Sequence, residues 1–255
     1  MEHIDVFRLS ASRPWQLRDT SPICKELIKY SGELKWHLIE SVLVQELSNE
    51  CVEYAKSIGY VTHVINPAQG QGYAIDYALK HAVTSKYTLK WEDDFKPEME
   101  IPIDTCVKLM DKYPHINQIC FNKRETMSKK GWNGKDFMKE QRYFELDGEQ
   151  IPLVVKEKWW FGTALWRSSF IKPIFRYWPT NTHNHFNFQV LIPKTGWRGG
   201  HPIPTPQKIE EVIGCYIYGK TGDKRMVFHA GINDSIWSGE LQKKWKAEGR
   251  TIIGS

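Results

Sequence analysis

The sequence predicts an α/β fold with a mostly parallel central sheet flanked by helices. In the first half of the chain, short apolar segments of strand type alternate with segments whose apolar residues recur at helical spacing. The fourth predicted strand leads directly into three acidic residues, Glu92, Asp93 and Asp94. Because parallel sheets bind ligands at the carboxyl ends of their strands, these acids indicate a candidate site.

The first half of the chain supplies the regular elements. We expect strands at residues 4–9, 34–40, 60–65, 87–91 and 116–121, and helices at residues 22–30, 44–58, 73–83 and 107–113. The first strand breaks at residues 10–14, where Pro14 disfavours a helical conformation of Arg13. Gly59 is placed to cap the second helix. Such alternation favours right-handed crossovers between parallel strands.

The second half of the chain is less regular. Residues 123–139 are polar, charged and glycine-containing, which is typical of a loop over a site. Residues 144–151 predict a hairpin that turns at Asp147 and Gly148, and residues 168–178 predict a helix ended by Pro179. Because no repeat, low-complexity tract or linker separates the halves, we expect a single domain over residues 1–255.

The composition is that of a globular protein with a mildly basic surface. The net charge of +5 suits an anionic ligand such as a nucleotide diphosphate, and leaves a nucleic acid or anionic glycan open as a partner. The five cysteines are scattered without a CxxC pair, which favours reduced thiols. The sequence shows neither a leader segment nor an apolar run of membrane-spanning length, so we expect a cytoplasmic protein.

The acidic triplet has the chemistry of a divalent-cation site. Hard cations prefer carboxylate oxygens, and the protein supplies one or two when phosphate and water supply the rest. On an extended segment, Glu92 and Asp94 would point to one side and Asp93 to the other. A cation there would offset the charge that builds on a departing diphosphate. The alternative is a solvated acidic turn.

Three segments resemble the signature of family 2 glycosyltransferases. Residues 66–76 (NPAQGQGYAID) resemble the family pattern Asn-x-Gly-x-x-x-Ala-x-Asn, residues 91–94 (WEDD) resemble its strand ending in DxD acids, and residues 10–17 (SASRPWQL) resemble its Ser-x-x-Arg-Pro-x-x-Leu. The match covers residues 4–95 and is weak beyond them. It implies the GT-A fold, with a nucleotide-sugar-binding half at residues 1–121 and an acceptor-side half at residues 122–255.

The same resemblance implies a nucleotide-diphosphate sugar as donor, a UDP-sugar before others, and Mn²⁺ or Mg²⁺ as cofactor. The implied donor-binding residues are Ser12, Arg13, Glu40, Gly72, Asp76 and Asp93. Gly72 would let the helix start approach the donor because it has no Cβ. Ordinary structural roles remain open: a helix-capping acid for Glu40, a turn glycine for Gly72 and an exposed helix face for Asp76.

Later segments complete the implied site. His229 would join Glu92 and Asp94 as a metal ligand. On the acceptor side, Gly162 follows Trp159 and Trp160, whose rings are suited to stack on a sugar or base. An apolar run of this kind is as often part of a core, and a single histidine is more often structural.

The expected catalytic base departs from the family pattern. Inverting members carry an acidic residue before a Gly-Trp or Gly-Tyr pair, and counting back from Gly196 and Trp197 places Asn184 and His185 there. A histidine accepts a hydroxyl proton near neutral pH, so His185 is the candidate base, with Asp93 the other candidate catalytic residue. The alternative is a surface loop, and inverting or retaining chemistry stays open.

The sequence therefore predicts an enzyme that transfers a hexosyl or pentosyl group to a glycan, a protein or modified DNA. Basic clusters in residues 123–130 and 243–246 suit an anionic acceptor, although a solvated charged surface is the commoner explanation. One rival is a nucleotidyltransferase, which should have a glycine-rich loop where residues 10–15 contain no glycine. The other is a non-catalytic sugar- or nucleic-acid-binding protein on a degenerate transferase fold, which the missing carboxylate base favours and the intact acids disfavour.

Overall fold

The computed structural model describes residues 3–121, 138–156, 162–176, 197–198, 201–202, 214–220, 222–230 and 240–252. The helices are α1 (Pro14–Leu27), α2 (Gln45–Ser57), α3 (Gln71–His81), α4 (Ile103–Lys112), α5 (Ser168–Arg176) and α6 (Glu240–Ala247). The strands are β1 (Ile4–Ser10), β2 (Ile28–Lys29), β3 (Leu34–Ser41), β4 (Val61–Ile65), β5 (Tyr87–Glu92), β6 (Phe95–Pro97), β7 (Ile101–Pro102), β8 (Gln118–Cys120), β9 (Met138–Leu146), β10 (Glu149–Lys156), β11 (Ala164–Arg167), β12 (Trp197–Arg198), β13 (His201–Pro202), β14 (Cys215–Tyr218) and β15 (Val227–His229).

A nine-stranded sheet organises the molecule, in the order β4-β3-β1-β5-β11-β8-β14-β10-β9. Strands β4, β3, β1 and β5 are parallel neighbours, and β8 and β14 form a further parallel pair. Strand β11 runs antiparallel between β5 and β8, and β10 and β9 form an antiparallel edge. The predicted mostly parallel α/β fold is confirmed, and its antiparallel strands come from the less regular second half.

The helices cover both faces of this sheet. Alternate residues of β1 belong to different apolar clusters, with Val6 in one and Phe7 in the other. The Val6 cluster includes Leu17 of α1 together with residues of α2 and α4, whereas the Phe7 cluster includes residues of α3 and α5. The carboxyl ends of β1, β3 and β5 therefore open between α1 on one face and α3 on the other.

The first helix begins earlier than the sequence predicted. Helix α1 starts at Pro14 and contains Pro22, so the expected start near residue 22 is wrong, and residues 28–29 form β2. A proline in the first turn removes no hydrogen bond of the helix, because the first backbone N–H groups of a helix have no partner within it. Pro22 is tolerated because buried Leu17 and Cys24 pack this helix against the sheet. Helix α4 likewise begins at Ile103 rather than residue 107.

The predicted hairpin is confirmed. Strands β9 and β10 pair on either side of Asp147 and Gly148, whose φ angles of 52° and 86° suit a two-residue hairpin loop. None of the helices in the described part of the chain is both long and apolar enough to cross a membrane.

Candidate functional site

The acidic triplet lies at the carboxyl end of β5, but its side chains face different partners. Strand β5 ends at Glu92, and Asp93 and Asp94 form the turn into β6. The alternation of strand side chains stops at this turn, so the expectation that Glu92 and Asp94 share a side opposite Asp93 is wrong. Both aspartates instead contact one arginine from the loop after β1.

Arg13 joins the two aspartates. Its Nε donates to Asp93 Oδ2 at 3.2 Å, its Nη2 donates to Asp93 Oδ1, and its Nη1 donates to Asp94 Oδ2 at 2.9 Å. Both carboxylates are buried. Two carboxylates and one guanidinium leave this group with one net negative charge, which attracts a cation more strongly in a partly dehydrated cleft than in water.

His229 completes the group on the side of Asp94. Its Nε2 donates to Asp94 Oδ2 at 3.2 Å, and its ring stacks on Phe95 with centroids 4.7 Å apart. Strand β15 pairs with β6 so that His229 lies opposite Phe95, and the backbone N–H of Ala230 donates to Asp94 O at 2.8 Å. The histidine is therefore positioned by backbone pairing as well as by its own contacts.

The two aspartates have different proton affinities. Burial raises the pKa of Asp93 to about 6, and the neighbouring charge of Asp94 adds to this effect against the attraction of Arg13. Burial also opposes ionisation of Asp94, but the hydrogen bond from His229 and the charge of Arg13 outweigh it and hold the pKa of Asp94 well below its usual range. Asp94 is therefore the carboxylate that stays ionised most firmly.

Asp94 and His229 fit a divalent cation that takes its other ligands from substrate and water. Asp94 Oδ1 is buried and has no hydrogen-bond partner in the described part of the chain. A carboxylate suits Mn²⁺ or Mg²⁺, and the His229 imidazole could join it through Nε2 once that nitrogen gives up the proton it donates to Asp94. No group of three or more His, Cys, Asp or Glu residues that could hold a metal occurs among the residues described. Of the predicted metal set, the structure thus brings together Asp94 and His229 but not Glu92.

The loop that carries Arg13 is tied to the loop after β3. Ser12 adopts a φ of 55°, its N–H donates to Glu40 Oε1 at 2.7 Å, and its Oγ accepts from the N–H groups of Leu43 and Val44 at 3.0 and 2.9 Å. Ser48 Oγ donates to the same Glu40 oxygen at 2.7 Å. Glu40 is fully buried and supports the conformation of this loop.

Glu40 should make stability depend on pH. Burial raises its pKa to about 7, although hydrogen bonds from Ser12 and Ser48 oppose the shift. The folded protein therefore keeps this proton where the unfolded chain has lost it, so the Glu40 contribution falls as pH rises from about 4.5 to about 7. We expect the stability of Glu40→Gln relative to wild type to rise by about 3 kcal/mol between pH 5 and pH 8, measured by urea unfolding. A pH-independent difference would contradict this.

Helix α3 brings two more predicted residues near the same edge of the sheet. Gly72 is buried in its first turn. Asp76 is buried rather than exposed; its Oδ2 accepts from Lys80 one turn later, and its Oδ1 has no hydrogen-bond partner within the described ranges. Gly162 is buried two residues before the start of β11.

Several predicted residues lie outside the described residues, namely Trp159, Trp160 and His185, together with the basic cluster in residues 123–130. The second basic cluster is on α6, where Lys243, Lys244 and Lys246 are exposed.

Arg8, which the sequence pattern did not indicate as part of the site, lies beneath the acidic turn. This fully buried residue donates to Ser21 Oγ at 2.7 Å, to Thr20 Oγ1 at 2.6 Å, and to the carbonyl oxygens of Glu92 and Asp93 at 3.3 Å each. The signal was an arginine inside a predicted strand of a mostly parallel sheet, whose two faces are covered by helices.

The partners of Glu92 were likewise not evident from the sequence pattern. Lys90 is fully buried and its Nζ donates to Glu92 Oε1, and Gln71 Nε2 donates to the same oxygen at 2.9 Å. Glu92 therefore faces α3, whereas the two aspartates face Arg13 in the loop before α1.

The fold resembles that of several solved structures, although no sequence family matches. No protein-family profile and no curated protein sequence matches the chain. Among solved structures, S. aureus TarS 1–349 in complex with UDP-GlcNAc has a TM-score of 0.56 at 12% identity, covering 89% of this chain and 58% of that one. The mannosyltransferase PcManGT from Pyrobaculum calidifontis, in complex with GDP-Man and Mn²⁺, has a TM-score of 0.52 at 11% identity, covering 88% and 58%.

GalNAc-T7 with UDP, GalNAc and Mn²⁺ has a TM-score of 0.51 at 11% identity, covering 68% of this chain and 37% of that one. The chain thus spans between 37% and 58% of the length of these three proteins. They share its mostly parallel central sheet with flanking helices. The chain therefore has a GT-A-like glycosyltransferase fold, as its resemblance to family 2 implied.

Proposed function

We propose that the protein transfers a sugar from a nucleotide-diphosphate sugar to an acceptor, with a divalent cation held at Asp94 and His229. The observation that supports this most is the buried Asp94 carboxylate, whose Oδ1 has no hydrogen-bond partner in the described part of the chain, beside His229 at the carboxyl end of a central strand. Solved structures of the same fold contain UDP-GlcNAc, or GDP-Man with Mn²⁺. A UDP-sugar or GDP-sugar with Mn²⁺ or Mg²⁺ is therefore the proposed donor and cofactor pair.

The residues of the cleft have separate tasks in this reaction. The bond between the anomeric carbon and the diphosphate breaks with its electron pair leaving on the β-phosphate oxygen, and the acceptor oxygen bonds to that carbon after losing its proton to a base. The cation would offset the charge on the diphosphate. Asp93 binds Arg13 through both its oxygens and thereby fixes the guanidinium beside Asp94. Glu40 supports the nucleotide-side loop through Ser12.

The acceptor half of the proposal rests on the sequence. His185 stays the proposed base, and Trp159, Trp160 and Gly162 stay the proposed acceptor residues. The division into a donor half at residues 1–121 and an acceptor half at residues 122–255 is part of the same proposal. The acceptor is a glycan, a protein or modified DNA.

A thermal-shift panel tests the donor and the metal together. The protein is heated with UDP, GDP or ADP, each with MnCl₂ or with EDTA. We expect UDP or GDP at about 100 times its Kd to raise the melting temperature by about 5–10 °C, and only with Mn²⁺. An equal shift in EDTA would contradict the metal site, and no response to any nucleotide would favour the non-catalytic binding protein.

A further inference from the structure

One tryptophan, Trp245, anchors helix α6. Among the side chains of this helix that the structure describes, Trp245 alone is buried, with 2% of its surface exposed. It forms a small apolar cluster with Val44 and Leu47, and Trp15 of α1 packs against the same cluster. A cavity of about 440 Å³ lies between α6, α1 and α2. Attachment of this helix to its neighbours therefore depends mainly on Trp245.

The Trp245 cluster includes part of the β3–α2 loop (residues 42–44). Val44 is fully buried in the cluster, and Leu43 packs against it. The backbone N–H groups of Leu43 and Val44 both donate to Ser12 Oγ, at 3.0 and 2.9 Å. Trp245 therefore packs on the residues whose backbone binds this serine.

Ser12 needs this support because its backbone is strained. Its φ of 55° lies in the left-handed region, which a residue with a Cβ rarely adopts, and such a conformation persists only where the surrounding contacts hold it. The next residue, Arg13, donates hydrogen bonds to both Asp93 and Asp94. Relaxation of Ser12 would redirect the chain at this point and move the guanidinium away from the two carboxylates.

We propose that Trp245 is a positioning residue for nucleotide binding, and that it acts through the β3–α2 loop on Ser12 and Arg13. This inference rests on the proposed function and adds α6 to the elements that shape the donor site. Molecules in which α6 has left the cluster would hold the β1–α1 loop (residues 11–13) less firmly and bind the donor less tightly. Because linkage is reciprocal, a bound nucleotide would in turn favour the attached state of α6.

The test compares nucleotide affinity with stability. Mn²⁺-dependent binding of UDP and GDP is measured by calorimetry for wild type, Trp245→Ala and Trp245→Phe, together with the melting temperature of each protein. We expect Trp245→Ala to bind the nucleotide about 3–30-fold more weakly, because affinity falls with the fraction of molecules whose loop is in the binding conformation. Trp245→Phe keeps an aromatic ring in the cluster and should recover most of the affinity.

Two control variants separate positioning from general stability. Phe144→Ala removes a buried aromatic side chain from β9, at the far edge of the sheet, and should lower the melting temperature while leaving nucleotide affinity unchanged. Lys246→Ala changes an exposed residue of α6 and should leave both quantities unchanged.

Hydrogen exchange tests the same contact without a ligand. The N–H groups of Leu43 and Val44 should exchange faster in Trp245→Ala than in Phe144→Ala. Equal exchange, or unchanged nucleotide affinity in folded Trp245→Ala, would overturn the inference and leave the proposed function intact. Absence of nucleotide binding by wild type would overturn the proposed function and this role of Trp245 with it. If Trp245→Ala does not fold, Trp245→Leu, which keeps an apolar side chain there, supplies the same comparison.

Discussion

Asp94→Asn is expected to abolish Mn²⁺-dependent nucleotide binding and to lower sugar transfer or donor hydrolysis by about 10²–10³-fold. An amide replaces the carboxylate of the Arg13 group whose Oδ1 has no hydrogen-bond partner in the described part of the chain, and removes the net negative charge of that group. His229→Gln should weaken metal binding less, because the aspartate remains. Calorimetric titration with MnCl₂ in the presence of UDP or GDP measures the first effect, and released nucleotide measures the second.

A matched control separates loss of the site from loss of charge alone. Asp147→Asn removes an exposed carboxylate from the β9–β10 turn, where asparagine also adopts the left-handed conformation. It should leave nucleotide binding and turnover unchanged. Metal-dependent binding that survives Asp94→Asn would show that the cation is held elsewhere.

The position of the site was predictable because it depends on local patterns. Apolar periodicity located the strands β1, β3, β4 and β5, and parallel strands place their carboxyl ends at one edge, so the acidic triplet marked the cleft. The directions of its side chains were not predictable. The side-chain directions of residues 92–94 depend on the residue at which β5 ends. The turn at Asp93 and Asp94 begins in a segment that the sequence pattern treats as extended.

The pairing of buried charges also required the fold. Arg13 and Asp94 are far apart in sequence and meet only because β1 and β5 are neighbours. Arg8 and Lys90 stand in apolar segments, where a pattern rule assigns a charged residue to the solvent side. In a parallel sheet covered on both faces there is no solvent side, so each of these residues must find a partner inside. A charged residue in a predicted central strand is therefore evidence of a buried polar network.

Arg8→Met is expected to destabilise the protein by about 1–3 kcal/mol, measured by urea unfolding at constant m value. The guanidinium donates to four neutral oxygens, two from α1 hydroxyls and two from the carbonyls of Glu92 and Asp93, and methionine satisfies none of them. Because two of these oxygens belong to the acidic turn, the folded variant should also bind nucleotide with Mn²⁺ more weakly.

Arg18→Met is the control for this change, because it removes an exposed arginine of α1 that is paired with Glu50. Surface ion pairs contribute about 0–1 kcal/mol, so its unfolding midpoint should stay close to wild type. Equal midpoints for Arg8→Met and Arg18→Met would mean that the buried guanidinium does not hold the acidic turn. A lower midpoint for Arg8→Met alone, together with weaker Mn²⁺-dependent nucleotide binding, would instead show that the charge buried beneath the acidic turn holds that turn in place.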